Sequence, residues 1–158
     1  DLGFETTQAA KVLSTIGAGS ILGRIILGGT ADRLGGKRAL IIAYVILCAS
    51  LIWLLFIREP SILFLFAPVY GFTHGAFFTL ISPTVAELFG TRSHGVIFAI
   101  VLFHGTIGGA LSPLIAGYVF DTVGSYQPVF ACLAGLAVAG LVLVQFLQSN
   151  SPAEIEVT

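Results

Sequence analysis

The chain has 158 residues, of which 56% are hydrophobic and only 9% charged, and its net charge is -1. A soluble domain carries charge on about a quarter of its residues, so this composition, with a mean hydropathy of +1.01, excludes an ordinary soluble domain. The seven Lys and Arg residues are scattered, which argues against a nucleic-acid-binding protein. Cys48 and Cys132 lie inside apolar runs, which is more typical of buried small residues than of a disulfide or metal site.

Five apolar segments of membrane-spanning length follow one another along the chain. The first is the least apolar because it contains Lys11 and Arg24. The second, ALIIAYVILCASLIWLLFI, has no charge and as a helix spans about 28 Å, close to the hydrocarbon thickness of a bilayer. The predicted helices are residues 7–31, 39–57, 62–89, 95–120 and 128–148, followed by a cytoplasmic tail of residues 149–158. These segments predict an all-α, multi-pass membrane protein that is embedded in the lipid bilayer.

Basic residues predict how the helices are oriented. If the joint of residues 32–38 is cytoplasmic, that side of the membrane carries more Lys and Arg than the other, as expected for membrane proteins. The cytoplasmic group is then Arg33, Lys37, Arg38 and Arg92, against Lys11 and Arg58 outside. The odd number of spans, together with the lack of any methionine, predicts a fragment of a longer protein.

Residues 28–38 read GGTADRLGGKR and join the first two predicted helices. A phosphate-binding loop requires glycine where Ala31 stands and Ser or Thr where Arg38 stands. Both requirements fail, so no nucleotide or other cofactor is expected, and no metal site is predicted.

The same stretch resembles the signature loop of the major facilitator superfamily, a large family of membrane transporters. The matching positions are Gly28, Asp32, Arg33, Gly35, Lys37 and Arg38. Thr30 and Gly36 depart from that pattern, since a larger apolar residue and a basic residue usually stand there. The resemblance implies a conformational motif at a moving cytoplasmic joint; a plain charged turn is the alternative.

The resemblance extends along the chain. PTVAELFG at residues 83–90, followed by Arg92, is similar to a family segment whose acidic residue contacts the signature-loop arginine, which implies a gate pair between Glu87 and Arg33. Residues 116–126 resemble the outer end of the eleventh family helix. The chain then corresponds to helices eight to twelve, a partial C-terminal bundle of the twelve-helix fold, and the N-terminal half of the same transporter is an expected partner.

Arg24 precedes Gly28 by one helical turn, the spacing at which monocarboxylate transporters and oxalate–formate exchangers carry an arginine. In that branch the arginine is regarded as the partner of the substrate carboxylate. Arg24 lies about 12 Å inside the helix end, where a lone arginine costs about 2.5–3.5 kcal/mol on insertion scales. It therefore needs an anionic partner or a cavity. A structural arginine paired with an acid of the absent half is the alternative.

Four further residues are candidate substrate contacts: His74, His104, Tyr70 and Ser20. His104 stands where the exchangers have lysine, which argues against a dicarboxylate, and Ser20 stands where monocarboxylate transporters often have an acid. Either histidine is a candidate proton carrier, with packing inside the bundle as an equal alternative.

Glycines recur at four-residue steps in two predicted helices, at Gly19 and Gly23 and at Gly105 and Gly109. Such spacing predicts helix faces flat enough for a neighbouring helix to approach closely.

The expected function is transport of a small organic anion such as lactate, pyruvate or formate. Transport would proceed by alternating access, as proton symport or anion exchange, in an inner (cytoplasmic) membrane. A permease for another solute and a non-transporting structural fragment are the alternatives. An enzyme is disfavoured because no paired intramembrane aspartates and no Gly-x-Ser-x-Gly or His-Glu-x-x-His motif occur.

Overall fold

The structure of the protein is a computed structural model that describes residues 6–147, with only the backbone of residues 6 and 60. This part of the chain is all-α, as predicted, and contains five helices, each long and apolar enough to cross a membrane. They are α1 (Thr6–Leu34), α2 (Gly36–Phe56), α3 (Leu63–Phe89), α4 (His94–Val123) and α5 (Gln127–Phe146), with a short 3-10 turn at Pro60–Ile62. The predicted tail lies outside the described residues.

The joint predicted over residues 32–38 is much shorter in the structure. Helix α1 continues through Asp32 and Arg33 to Leu34, and α2 already begins at Gly36. Charged side chains at a membrane surface are hydrated, and arginine and lysine favour helix, so the helices need not end where hydrophobicity ends. The chain reverses at Gly35, whose φ of 90° is readily adopted only by glycine. Helix α4 likewise continues past Asp121 to Val123, three residues beyond the predicted end, because a hydrated charge at the membrane surface does not end a helix.

Helices α1 and α3 pack backbone against backbone. A Cβ atom placed on Gly23 would overlap the carbonyl group of Phe72, and one on Gly71 would overlap the carbonyl group of Ile16. The prediction that Gly19 and Gly23 flatten one helix face is therefore confirmed. Residue numbers rise together along the contact, so the two helices run parallel, with α2 antiparallel to both.

Helix α2 lies between α3 and α5. One apolar core joins α1, α2 and α3, and a second joins α2 to α5. The Tyr44 ring of α2 connects the two, because it packs edge-on against Phe77 at 4.7 Å and also lies against Gly140. The first core comprises Leu27, Ala31, Ala39, Ala43, Ala76 and Leu80, and the second Cys48, Leu51, Ala134 and Ala137.

Helix α4 is the least covered element. None of its residues is buried within the part of the protein that is described, and it contacts only α3 and α5. Around Gly105 and Gly109, a Cβ atom would find nothing within 4 Å. The predicted flattening of this helix for a close neighbour has no counterpart among residues 6–147.

Candidate functional site

The α1–α2 joint, the end of α3, the start of α4 and the end of α5 share one end of the bundle, called the motif end below. Gly36 is buried there against α3, and a Cβ atom on it would lie 2.6 Å from the backbone nitrogen of Thr84. In this chain the position requires glycine, a departure from the family motif, because the backbone of α3 occupies the space that a side chain would need. Gly28, one helix turn before Asp32, lies beside the Thr79 side chain in the same interface.

Glu87 reaches the motif from the last turn of α3. Its carboxylate Oε2 accepts a hydrogen bond of 3.0 Å from the backbone N–H of Lys37, and Oε2 would lie 3.1 Å from a Cβ on Gly35. A carboxylate at this point compensates for the unpaired N–H groups in the first turn of α2. The acid therefore lies at the signature motif, and its pairing with Arg33 stays a prediction.

The motif's charged side chains differ in their exposure. Lys37 is half-buried, and its ammonium nitrogen lies 3.3 Å from the carbonyl oxygen of Gln145 and also donates to that of Leu147. The others, which are Asp32, Arg33, Arg38 and Arg92, have exposed side chains in the described part of the chain. They are therefore accessible to partners at the motif end.

Arg24 lies on α1, about 12 Å from Asp32 along the helix axis. Its neighbours Gly23 and Leu27 are buried against α3 and α2, whereas Arg24 itself is exposed at the flank of the interface. Within residues 6–147, its guanidinium makes no hydrogen bond or ion pair. The charge thus lies within a helix of membrane-spanning length, away from its charged end, with its donors available.

His74 points to the same side of the α1–α3 pair as Arg24. Successive helix residues are rotated by about 100°, so Arg24 lies about 90° from the centre of the stripe by which α1 contacts α3. His74 lies about 110° from the corresponding centre on α3, in the opposite sense. Because α1 and α3 run parallel and face each other, a rotation in one sense on α1 and in the opposite sense on α3 directs the side chains of Arg24 and His74 to the same side of the helix pair. The two stripes are Ile16, Gly19, Ser20 and Gly23 on α1, and Pro68, Gly71, Phe72 and Gly75 on α3.

Aromatic rings bracket His74 along α3. The centre of its imidazole lies 5.9 Å from that of Tyr70 and 5.3 Å from that of Phe78. His74 and Phe78 are exposed, whereas Tyr70 is half-buried, stacks on Phe66 and packs against the α2–α5 core. The side of the bundle that holds Arg24 therefore carries the exposed rings of His74 and Phe78, while Tyr70 supports His74 from the α2–α5 core.

Two other predicted substrate contacts are placed differently. Ser20 is only 8% exposed and lies between α1 and α3, with its hydroxyl beside Gly75. His104 is on the exposed α4, where its Nδ1–H donates to the Ile100 carbonyl at 2.8 Å, beside a shallow depression of about 560 Å³. Arg24 and His74 thus lie on one side of the α1–α3 pair, and Ser20 lies inside the contact between these two helices. His104 lies apart from them, on the surface of α4.

His94, the first residue of α4, connects the start of α4 to α3. Its Nε2 lies 3.1 Å from the Ser82 carbonyl oxygen and 3.3 Å from the Ser82 hydroxyl, and its ring stacks on Phe98. No local pattern reveals this contact, because Ser82 belongs to another helix.

Comparisons with known proteins agree with this architecture. The family model of the Major Facilitator Superfamily matches residues 1–158. Monocarboxylate transporter 12 of Rattus norvegicus is 32% identical over 140 residues, which are 86% of this chain and 29% of that protein. Monocarboxylate transporter 13 of Bos taurus is 30% identical over 142 residues, which are 89% of this chain and 33% of that protein.

A bacterial relative is more distant. The sialic acid transporter NanX of Escherichia coli (strain K12) is 23% identical over 150 residues, which are 92% of this chain and 36% of that protein. No solved structure matches the chain. The chain spans about a third of the length of these curated relatives. With its five apolar helices, its signature motif and a family match over its whole length, this integral, multi-pass membrane chain belongs to the major facilitator superfamily and is similar to the monocarboxylate transporters.

Proposed function

We propose that this chain forms part of a transporter that moves a small organic anion, a monocarboxylate such as lactate, pyruvate or formate, across an inner (cytoplasmic) membrane. Alternating access moves the anion, by symport with a proton or by exchange. The observation that carries the proposal is Arg24, an exposed guanidinium within a helix of membrane-spanning length that has no partner among residues 6–147. An anion supplied by the substrate satisfies it, at a depth where an unpaired charge is costly.

His74 supports the same proposal. It lies on the side of the α1–α3 pair to which Arg24 points, so an anion bound by Arg24 has a second hydrogen-bonding group and a possible proton carrier nearby. The exposed Phe78 ring lies 5.3 Å from that of His74 and provides an apolar surface for the carbon skeleton, and the half-buried Tyr70, at 5.9 Å, supports His74 along α3. The names of the relatives support the proposal, since they are transporters of monocarboxylates and of sialic acid, both of which carry a carboxylate.

The proposal predicts that the substrate is recognised by its negative charge. In proteoliposomes that contain the complete parent protein, unlabelled lactate and pyruvate should compete with labelled lactate. Lactamide, the neutral amide of the same shape, should not compete, because it offers no charge to a guanidinium. Equal competition by lactamide, or failure of every carboxylate to compete, would contradict carboxylate recognition and favour a permease for another solute. A pH gradient that drives uptake indicates symport, whereas acceleration by internal lactate indicates exchange.

The motif end should control the rate of transport and not substrate affinity. Asp32 is exposed in the last turn of α1, where it can engage groups beyond residues 6–147 while the two halves of the transporter rock. We expect Asp32→Asn in the complete protein to lower the maximal uptake rate about tenfold or more, equivalent to about 1.4 kcal/mol on the barrier. The substrate concentration for half-maximal binding should remain unchanged. A variant that loses binding while it retains the maximal rate would refute this assignment.

A further inference from the structure

We propose that Lys37 is a positioning residue that couples the end of α5 to the carboxylate of Glu87. Its backbone binds Glu87 and its side chain binds the last carbonyl groups of α5. One residue thereby links three helix ends at the motif end. The coupling is a property of the fold, while its consequence for gating rests on the transport function proposed above.

The backbone contact fixes the start of α2. Gly35 precedes the helix and has no side chain that caps the free N–H groups of the first turn. Glu87 supplies the missing acceptor from α3 through its 3.0 Å bond to the Lys37 N–H. Gly36 is packed so tightly on the backbone of Thr84 that this turn has no room to shift independently of α3.

The side-chain contact fixes the end of α5. The last carbonyl groups of a helix lack partners and carry the negative end of the helix dipole, so a cation stabilises them. The last turn of α5 contains no basic residue of its own. The Lys37 ammonium supplies that charge from α2, at the carbonyl oxygens of Gln145 and Leu147.

These contacts make the position of the α5 end dependent on Glu87. Elsewhere α5 is held by its apolar core with α2 and by sparse contacts with α4. A movement of the α3 end that carries both Thr84 and Glu87 also moves the Lys37 backbone, and with it the ammonium at the α5 end. The position of Leu147, at the end of α5, therefore depends on the position of the α3 end.

Hydrogen–deuterium exchange of the complete parent protein in lipid nanodiscs, without substrate, tests the side-chain contact. Lys37→Met should accelerate amide exchange in residues 143–147 about fivefold, the loss expected for one cation at a helix C-terminus. Arg38→Met removes a neighbouring exposed charge and should leave this segment unchanged, whereas Lys37→Arg should retain most of the protection. Unchanged exchange in Lys37→Met, or equal acceleration in Arg38→Met, would overturn the assignment.

A double-mutant comparison tests the coupling itself. Glu87→Ala should accelerate exchange both in residues 36–40 and in residues 143–147. In the Lys37→Met background it should add nothing at 143–147, because the connection is already absent. An undiminished effect of Glu87→Ala on 143–147 in that background would show that Lys37 does not transmit it. These measurements need no substrate, so a failure of carboxylate recognition would leave their outcome untouched.

Discussion

Replacing Arg24 with alanine should abolish carboxylate uptake by the complete transporter while its insertion into the membrane remains normal. Removing one partner of a hydrogen-bonded charge pair that is shielded from water costs about 2–5 kcal/mol, which is roughly a 30- to 4000-fold loss of affinity. The alanine variant also removes a charge that costs about 2.5–3.5 kcal/mol to place in the membrane, so insertion should not suffer. Uptake of labelled lactate and surface expression measure the two effects separately.

Two control variants distinguish substrate binding from a general loss of charge or shape. Lys11→Ala removes a basic side chain from the same helix, at an exposed position near its other end, and should leave uptake unchanged. Ile25→Ala truncates the exposed neighbour of Arg24 and should also have little effect. Arg24→Lys retains the charge but not the two-pronged donor geometry, so partial uptake with weakened affinity is expected.

The alternative role of Arg24 predicts a different result. If Arg24 neutralises a fixed acid in another part of the transporter, its loss leaves that acid unpaired, and the protein should become less stable whether or not substrate is present. Substrate should then protect the Arg24→Ala variant and the wild type equally against thermal unfolding. If Arg24 binds the substrate, lactate should raise the unfolding temperature of the wild type only.

Much of this architecture could be predicted from the sequence because bilayer thickness constrains helix length. Uncharged runs such as residues 39–57 predict a spanning helix directly, and the signature motif predicts where two helices join. The end of α1 and the start of α2 do not follow from hydrophobicity. Their boundary depends on Gly35, whose positive φ of 90° reverses the chain in one residue, whereas a charged run indicates only where the membrane ends.

Contacts between helices could be predicted less completely. The four-residue spacing of Gly19 and Gly23 predicts a flat face, but it does not identify α3 as the helix that occupies it. The candidate contacts Arg24 and Ser20 are one turn apart in sequence, yet only Arg24 is exposed, because Ser20 falls within the stripe that contacts Gly75. The hydrogen bond from Lys37 to the end of α5 joins residues 108 positions apart, so no local sequence pattern predicts it.

A single methyl group at Gly23 should destabilise the protein, because a Cβ atom has less space there than at any other glycine among the described residues. A Cβ atom there would overlap the carbonyl group of Phe72, which belongs to backbone and cannot turn aside as a side chain can. Helices α1 and α3 must therefore separate, and overpacking of this kind costs about 1–3 kcal/mol. We expect Gly23→Ala to lower the temperature of thermal unfolding of the purified protein in detergent.

Gly17→Ala is the matched control on the same helix, since a Cβ atom at Gly17 meets nothing within 4 Å in the described part of the chain. Alanine favours helix over glycine by about 1 kcal/mol, so this variant should be neutral or slightly more stable. Gly71→Ala clashes with Ile16 across the same interface, and once Gly23→Ala has separated the helices, its additional cost should be smaller than its cost alone. Equal unfolding temperatures for the Gly23 and Gly17 variants would mean that α1 and α3 do not approach this closely. The placement of Arg24 and His74 on one side of the α1–α3 pair, which depends on this contact, would then no longer hold.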